Sequence, residues 1–211
     1  MDGLRAAEIG ATGPATGLEP VLRALARPAP VSTDHDLTPG AGHPLGTVLR
    51  PAAVLVALQP GPAGWEVVLT RRSARLRQHA GQIALPGGKI DANDPGPVTA
   101  ALREAREEVG LDPAGVELLG VLPPHETVTG FAVTPVVGWL RAPFPPRPDA
   151  GEVAEVFAVP MTHLADPGRY RVERRRWRGT WRNYYVVPWG PYYIWGATAR
   201  ILRGLAERMA P

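Results

Sequence analysis

The sequence predicts a mixed α and β protein, an α+β or α/β/α sandwich around a mixed β-sheet. Three observations carry this. A continuous apolar run, Pro51 to Leu58, has the length of a strand buried on both faces. Residues 98–109 repeat their apolar positions at helical spacing in the middle of the chain. Short strand-like runs outnumber helical ones and mix with them without strict alternation.

Residues 1–45, rich in Gly, Pro, Ala and Thr, read as an N-terminal arm preceding a domain over 46–211. Glu19 to Arg27 has weak helical character, and Pro28, Pro30, Pro39 and Pro44 punctuate an extended path. Arg50 to Gln59 and Trp65 to Thr70 form a hairpin about the turn at 60–64. Gln82 to Leu85 is a short strand ending at Pro86-Gly87-Gly88. The helix over 98–109 carries Val98, Ala101, Leu102, Ala105 and Val109 on one face, with Pro97 in its first turn and Gly110 as its C-terminal cap. Val116 to Leu122, Ala132 to Leu140 and Glu155 to Val159 are further strands, and Met161 to Leu164 a helical turn. Tyr170 to Trp177 and Thr180 to Val187 make a second hairpin around Arg178-Gly179. Trp195 to Met209 is an amphipathic helix.

The 211 residues contain no cysteine, which removes disulfides, thiolate metal sites and a cysteine nucleophile together. The longest apolar run falls far short of the ~20 residues needed to cross a bilayer. The first 20 residues lack the basic start and apolar block of a secretory signal, so a cytoplasmic location is expected. Net charge is +3, unevenly placed. Seven arginines face a single Glu173 over 169–182, four more lie over 71–77, and the remainder is acidic. Two basic clusters on an acidic background suit a discrete anionic ligand better than a general nucleic-acid coat. The 169–182 cluster interleaves Arg with Tyr170, Trp177 and Trp181. Interleaved cations and aromatics can stack an adenine or bind single-stranded RNA, and a hairpin with outward arginines and inward aromatics explains the pattern equally well. The hairpin is the favoured reading, and neither nucleic acid nor a membrane is the expected partner.

Glu104, Glu107 and Glu108 occupy positions i, i+3 and i+4 of the 98–109 helix, opposite its apolar stripe. Such a face is either solvated, with Arg103 paired to Glu107 at i,i+4, or a site for a hard cation such as Mg²⁺ or Mn²⁺. The preceding loop, Leu85-Pro86-Gly87-Gly88-Lys89-Ile90-Asp91, allows close approach of backbone to a ligand. Loop and helix together resemble the Nudix box, Gly-x5-Glu-x7-Arg-Glu-U-x-Glu-Glu-x-Gly-U with U aliphatic. Residues 103–111 match its second half, with Ala105 as a small U residue. The first half departs from it. One inserted residue in the 91–98 loop restores Gly88 as the leading glycine and sets Asp94 where the pattern has Glu.

The run Leu69 to Gly88 resembles the signature of the coenzyme A diphosphatase branch of Nudix hydrolases, Leu-Leu-Thr-x-Arg-(Ser/Ala)-x3-Arg-x3-Gly-x3-Phe-Pro-Gly-Gly. Arg72, Ser73, Arg77, Gly81, Pro86, Gly87 and Gly88 fall in place, with Val68 and Leu85 as apolar exchanges. Stretches 130–137 and 193–198 are similar to that branch as well, and the likeness spans roughly 45–209. The resemblance implies a Nudix-type α/β/α sandwich and hydrolysis of coenzyme A or acyl-CoA to 3′,5′-ADP and (acyl-)4′-phosphopantetheine with Mg²⁺ or Mn²⁺. It further implies that Glu104 and Glu108 ligate metal, and that Glu107 either ligates it or takes the proton of the attacking water. Arg72 and Arg77 are candidate phosphate clamps, Gly87 and Gly88 substrate-contacting glycines, and Arg103, Gly81 and Asp94 supporting residues. His79, Glu152 and Glu155 are outer candidates. Hydrolysis of another nucleoside diphosphate derivative (ADP-ribose, NADH, a triphosphate or capped RNA) and a non-catalytic RNA- or partner-binding module are the alternatives, and a homodimer is left open.

Overall fold

The computed structural model describes residues 17–210 apart from residues 39 and 178, so the first sixteen residues of the expected arm, together with Pro39 and Arg178, lie outside the described residues. The elements run α1 (Glu19–Ala26), β1 (Ser32–Thr33), β2 (Arg50–Gly61), β3 (Gly64–Arg72), β4 (Ile83–Ala84), β5 (Gly87–Lys89) and α2 (Pro97–Val109). They continue through β6 (Val116–Val121), β7 (His125–Glu126), β8 (Phe131–Leu140), β9 (Val153–Pro160), α3 (Met161–Leu164), β10 (Arg171–Trp177), β11 (Thr180–Val186) and α4 (Gly196–Met209).

Nine strands form one mixed sheet along the order β1-β7-β8-β2-β3-β4, with β5 on β2, β6 on β8 and β9 on β3. The β2–β8 and β1–β7 pairs are parallel and the others antiparallel. Alternation along β2 divides the core. Ala52, Val56 and Leu58 face a cluster that includes α1, α3 and α4. Ala53, Leu55 and Ala57 face a second cluster under α2. Both faces are covered, as the unbroken apolar run of this strand requires.

One opening in the sheet positions the loop ahead of α2. The β2–β3 ladder spans only Leu58–Gly61 against Gly64–Val67. Beyond it the two strands diverge, and residues 83–89 fill the gap. β4 bonds to β3, β5 bonds to β2, and Leu55 N–H donates to Pro86 O at 2.8 Å between them. The Gly87-Gly88 pair thus lies beside β2 as a short strand, where the sequence suggests a turn. From there the chain passes into α2, capped by Gly110 in the left-handed region (φ 73°).

The described part of segment 17–45 packs onto the domain. Val21 and Ala24 of α1 are fully buried in the α4-side core. The C-termini of α1 and α4 cap each other: Arg27 donates to the carbonyls of Arg208 and Ala210 at 2.8 Å, and Arg208 donates to those of Ala24 and Arg27. Further on, fully buried His125 is held between Ser32 Oγ (3.0 Å) and Asp34 Oδ1 (3.1 Å), while Val128 N–H donates to Asp34 Oδ2 at 2.8 Å. The sequence pattern of Gly and Pro hides this docking because it rests on pairs some 90 or 180 residues apart.

Burial opposes ionisation of Asp34, but the hydrogen bond and charge of His125, the Val128 N–H and the charge of His35 outweigh it and hold its carboxyl below the ordinary value. Its contribution to stability is therefore present above the unfolded carboxylate value and is lost as pH falls through the folded one. Asp34→Asn should destabilise the protein by about 1–3 kcal/mol at pH 7, with the gap from wild type narrowing as pH falls below the ordinary carboxylate value. Denaturant melts at pH 7 and at acidic pH would measure this. An equal gap at both would show that the carboxylate charge contributes nothing.

Candidate active site

The three glutamates of α2 leave the helix at different depths. Glu108 is 3% exposed, its side chain turned into the interface with the sheet. Glu104 is mostly buried against the Gly-Gly strand, and Glu107 is 60% exposed. The acidic face therefore does not stand opposite the apolar stripe. Ala100, Ala101, Ala105, Glu108 and Val109 are all buried, so the carboxylates occupy the edge of the face that packs on the sheet.

Backbone and arginine together make that burial tolerable. Gly87 N–H donates to Glu108 Oε2 at 3.0 Å, and Arg72 Nη1 lies 3.4 Å from Oε1. Burial nonetheless pushes the Glu108 carboxyl up to about 7, helped by the charges of Glu104 and Glu152 and opposed by Gly87 N–H and Arg72. Burial also raises Glu104, with the charges of Glu107 and Glu152 adding to it against Arg103. Glu152 is thus electrostatically part of the cluster. Its carbonyl accepts from Ser73 N–H at 2.7 Å, fixing the β9 approach to the 73–82 loop.

Gly87 is sterically required, and Gly88 leaves room for a carboxylate. A Cβ on Gly87 (φ 151°) would stand 2.3 Å from Ala53 O and 2.5 Å from Val54 Cα. A Cβ on Gly88 would stand 2.5 Å from the Glu104 carboxyl carbon, so this carboxylate occupies the space a side chain would take.

Arg103 is the hub of the outer side. Its guanidinium donates to Asp94 (3.0 and 3.2 Å), Glu104 (3.1 Å), Glu107 (2.9 Å) and Lys89 O (3.1 Å). Asp94 is held below the ordinary carboxylate range, first by Arg103 and then by Asp91 N–H. The aspartate that replaces the loop glutamate of the motif therefore ties the loop to the helix through Arg103, a pairing across nine residues that the sequence does not announce.

Outside the carboxylate cluster, Arg77 is exposed on the 73–82 loop, with no hydrogen bond or ion pair for its side chain among the described residues. Gly81 (φ 69°) closes that loop through its N–H to Arg72 O. His79 holds a left-handed turn (φ 57°) and bonds Gln82 Oε1 through Nδ1 at 3.0 Å. Glu155 lies apart. It is registered opposite Arg71, whose Nε is 3.0 Å away, and accepts from Tyr192 OH at 2.6 Å on the α4-side face of the sheet. Strand alternation sends Arg72 to α2 and Arg71 away from it. The Tyr192–Glu155–Arg71 chain has no sequence signal short of that alternation.

The donors are hard oxygens of like charge, which suits Mg²⁺ or Mn²⁺. Among the described residues no three acidic or imidazole groups already converge on one point, because Arg103, Arg72 and Gly87 N–H each engage carboxylates separately.

Residues 48–180 match the NUDIX domain. Two relatives described as Uncharacterized Nudix hydrolase NudL, from Salmonella paratyphi B (strain ATCC BAA-1250 / SPB7) and Salmonella newport (strain SL254), are 45% identical over 161 residues. These matches span 74% of this chain and 81% of each relative. The NUDIX domain of Shewanella oneidensis NrtR, solved in complex with ADP ribose, shares the fold at 16% identity and a TM-score of 0.50, covering 83% of this chain and 95% of that one. The mixed sheet between helices is the Nudix fold, and the chain belongs to the Nudix family. It is a pyrophosphohydrolase of nucleoside diphosphate derivatives, a class of enzyme that uses divalent metal ions.

Two substitutions probe this arrangement. Gly87→Ala should lower stability by about 1–3 kcal/mol through overpacking against β2, read as a fall in Tm of about 2–4 °C per kcal/mol. Arg103→Ala should leave the fold intact and lower kcat/KM by about 10- to 100-fold by releasing Asp94 and two glutamates. Unchanged turnover in that variant would show that Arg103 positions nothing.

Proposed function

We propose that the substrate is coenzyme A or an acyl-CoA, cleaved at its diphosphate to 3′,5′-ADP and (acyl-)4′-phosphopantetheine. The observation that carries this is the run from Val68 to Gly88, in which Arg72, Ser73, Arg77, Gly81, Pro86, Gly87 and Gly88 together resemble the coenzyme A diphosphatase signature. The charge of the loop agrees with it. Coenzyme A carries a 3′-phosphate beyond its diphosphate, and Arg77 stands exposed and unpaired among the described residues, on the strand-to-strand loop that leads into the site.

Glu104 and Glu108 are the residues that would hold Mg²⁺ or Mn²⁺, with Glu107 beside them on the same helix and held by Arg103 at 2.9 Å. The ion supplies charge neutralisation of the diphosphate and acidifies water at the site. The chain's own residues do the rest. Arg72, whose buried Nε has no hydrogen-bond partner, offers a donor to a phosphate oxygen beside Glu108. Glu107, the most exposed of the three, accepts the proton of the attacking water. The water oxygen bonds to one phosphorus of the diphosphate, the bridging P–O bond breaks, and its electron pair leaves with the departing phosphate. No helix among the described residues is long and apolar enough to cross a membrane.

The decisive experiment is a substrate panel of coenzyme A, acetyl-CoA, dephospho-CoA, ADP-ribose, NADH and a nucleoside triphosphate with each metal, products resolved by chromatography. Coenzyme A should yield 3′,5′-ADP. Glu107→Gln should lower kcat by about 10²- to 10⁴-fold. Arg77→Ala should raise KM for coenzyme A by about 10-fold and leave dephospho-CoA unaffected. Cleavage of ADP-ribose or NADH in place of coenzyme A would overturn the substrate assignment.

A further inference from the structure

The β10–β11 hairpin forms its own two-stranded sheet, outside the nine-stranded one. Its base packs on α4, where Arg203 lies 4.5 Å over the Tyr185 ring. It therefore stands on the opposite side of the main sheet from Glu104, Glu107 and Glu108. Every residue from Arg171 to Arg176 is exposed, so β10 buries neither face. Such a strand adds little to the domain's own core.

Its chemistry is unusual for a bare surface. Arg175 is registered directly opposite Arg182, and like charges in that position are destabilising. Among the described residues none of Arg171, Arg174, Arg175 and Arg176 has an ion-pair partner, and Glu173 of the same strand already accepts from Tyr193 OH at 2.6 Å. On one face Arg174 and Arg176 flank Trp181, directly opposite Arg176 and 56% exposed, with the Arg174 guanidinium 5.0 Å from its ring centroid. The sequence pattern suggests inward aromatics, but the register turns Trp181 outward.

We propose that this hairpin binds single-stranded nucleic acid, independently of the hydrolytic site. The Arg175 guanidinium lies 5.4 Å from the Trp195 ring centroid and Arg176 Nε donates to Gly179 O at 3.4 Å, so these arginines keep their charge without a carboxylate partner. Arginines not neutralised by carboxylates match a polyanion, and an outward indole braced by an arginine matches a flat base. An acidic peptide would use the charge and leave the indole idle. A membrane would need contiguous apolar residues, whereas Val172 and Trp181 are separated by arginines on a charged surface.

The test is fluorescence anisotropy of labelled 12-nucleotide oligo(U) and oligo(dT), with a 12-base-pair duplex and vesicles of phosphatidylcholine and phosphatidylserine as comparators. The proteins are the full chain, Trp181→Ala and the double variant Arg174→Glu/Arg176→Glu, each checked by circular dichroism and thermal melting. Single strands should bind the wild type, and raising salt from 50 to 200 mM should weaken binding by about 20- to 50-fold for three or four phosphates neutralised. Trp181→Ala should weaken binding by about 5- to 150-fold. The double variant should abolish it, and both variants should keep wild-type hydrolysis. Preference between oligo(U) and oligo(dT) would identify RNA or DNA as the source. Absence of binding at 50 mM salt, Trp181→Ala binding like wild type, or tighter binding of duplex or vesicles would overturn the proposal. So would a dimer by analytical ultracentrifugation that the variants dissolve, since the hairpin would then be a self-association surface.

Discussion

Burial of one carboxylate, Glu108, sets the terms for the rest of the site. An ionisable group at 3% exposure needs donors, and here they are one backbone N–H and one guanidinium. The N–H belongs to Gly87, which reaches the carboxylate only because β2 and β3 diverge and let residues 83–89 bond into the gap. No residue with a Cβ fits there against Ala53 and Val54. The guanidinium belongs to Arg72 at the end of β3, on the strand face that looks toward α2. Sheet, loop and helix are thus mutually constrained around a single side chain.

The neighbouring glutamates share the strain. Glu104 and Glu152 both raise Glu108, and Glu107 and Glu152 both raise Glu104, so the cluster is electrostatically unfavourable as a set. Arg103 offsets this on the outer side, binding two of the three helix glutamates and Asp94 at once. A guanidinium suits that task because its fork of donors serves several acceptors in fixed geometry. A concentrated negative patch braced from outside and lined with glycine backbone is chemically suited to a divalent ion and an anionic substrate.

The molecule is polarised about its sheet. The α2 face carries the cluster of Glu104, Glu107 and Glu108. The α4 face carries the docked N-terminal helix, the Arg71–Glu155–Tyr192 chain and the basic hairpin. Glu155 and Glu152 show how sharply this division acts. They are three residues apart, yet Glu152 acts electrostatically on Glu104 and Glu108 while Glu155 turns to Arg71. The register shift between Arg71 and Arg72 against β9 contributes to that separation.

The sequence by itself determined whatever depends on local periodicity and local sterics. The apolar run of β2, the α2 helix with Pro97 first and Gly110 capping it, and both hairpins were readable from spacing, and the Nudix family from the resemblance of the 103–111 run to a known motif. Tertiary structure alone decided which groups meet. The depth of Glu108, the Asp94–Arg103 brace, the separation of Glu155 and the docking of α1 on α4 rest on contacts from nine to more than 180 residues apart. The outward turn of Trp181 rests on hairpin register and on what the neighbouring elements leave uncovered. Periodicity specifies the face of an element on which a side chain sits. What lies across from that face depends on how the sheet opens, twists and is covered, and that is a property of the packed whole.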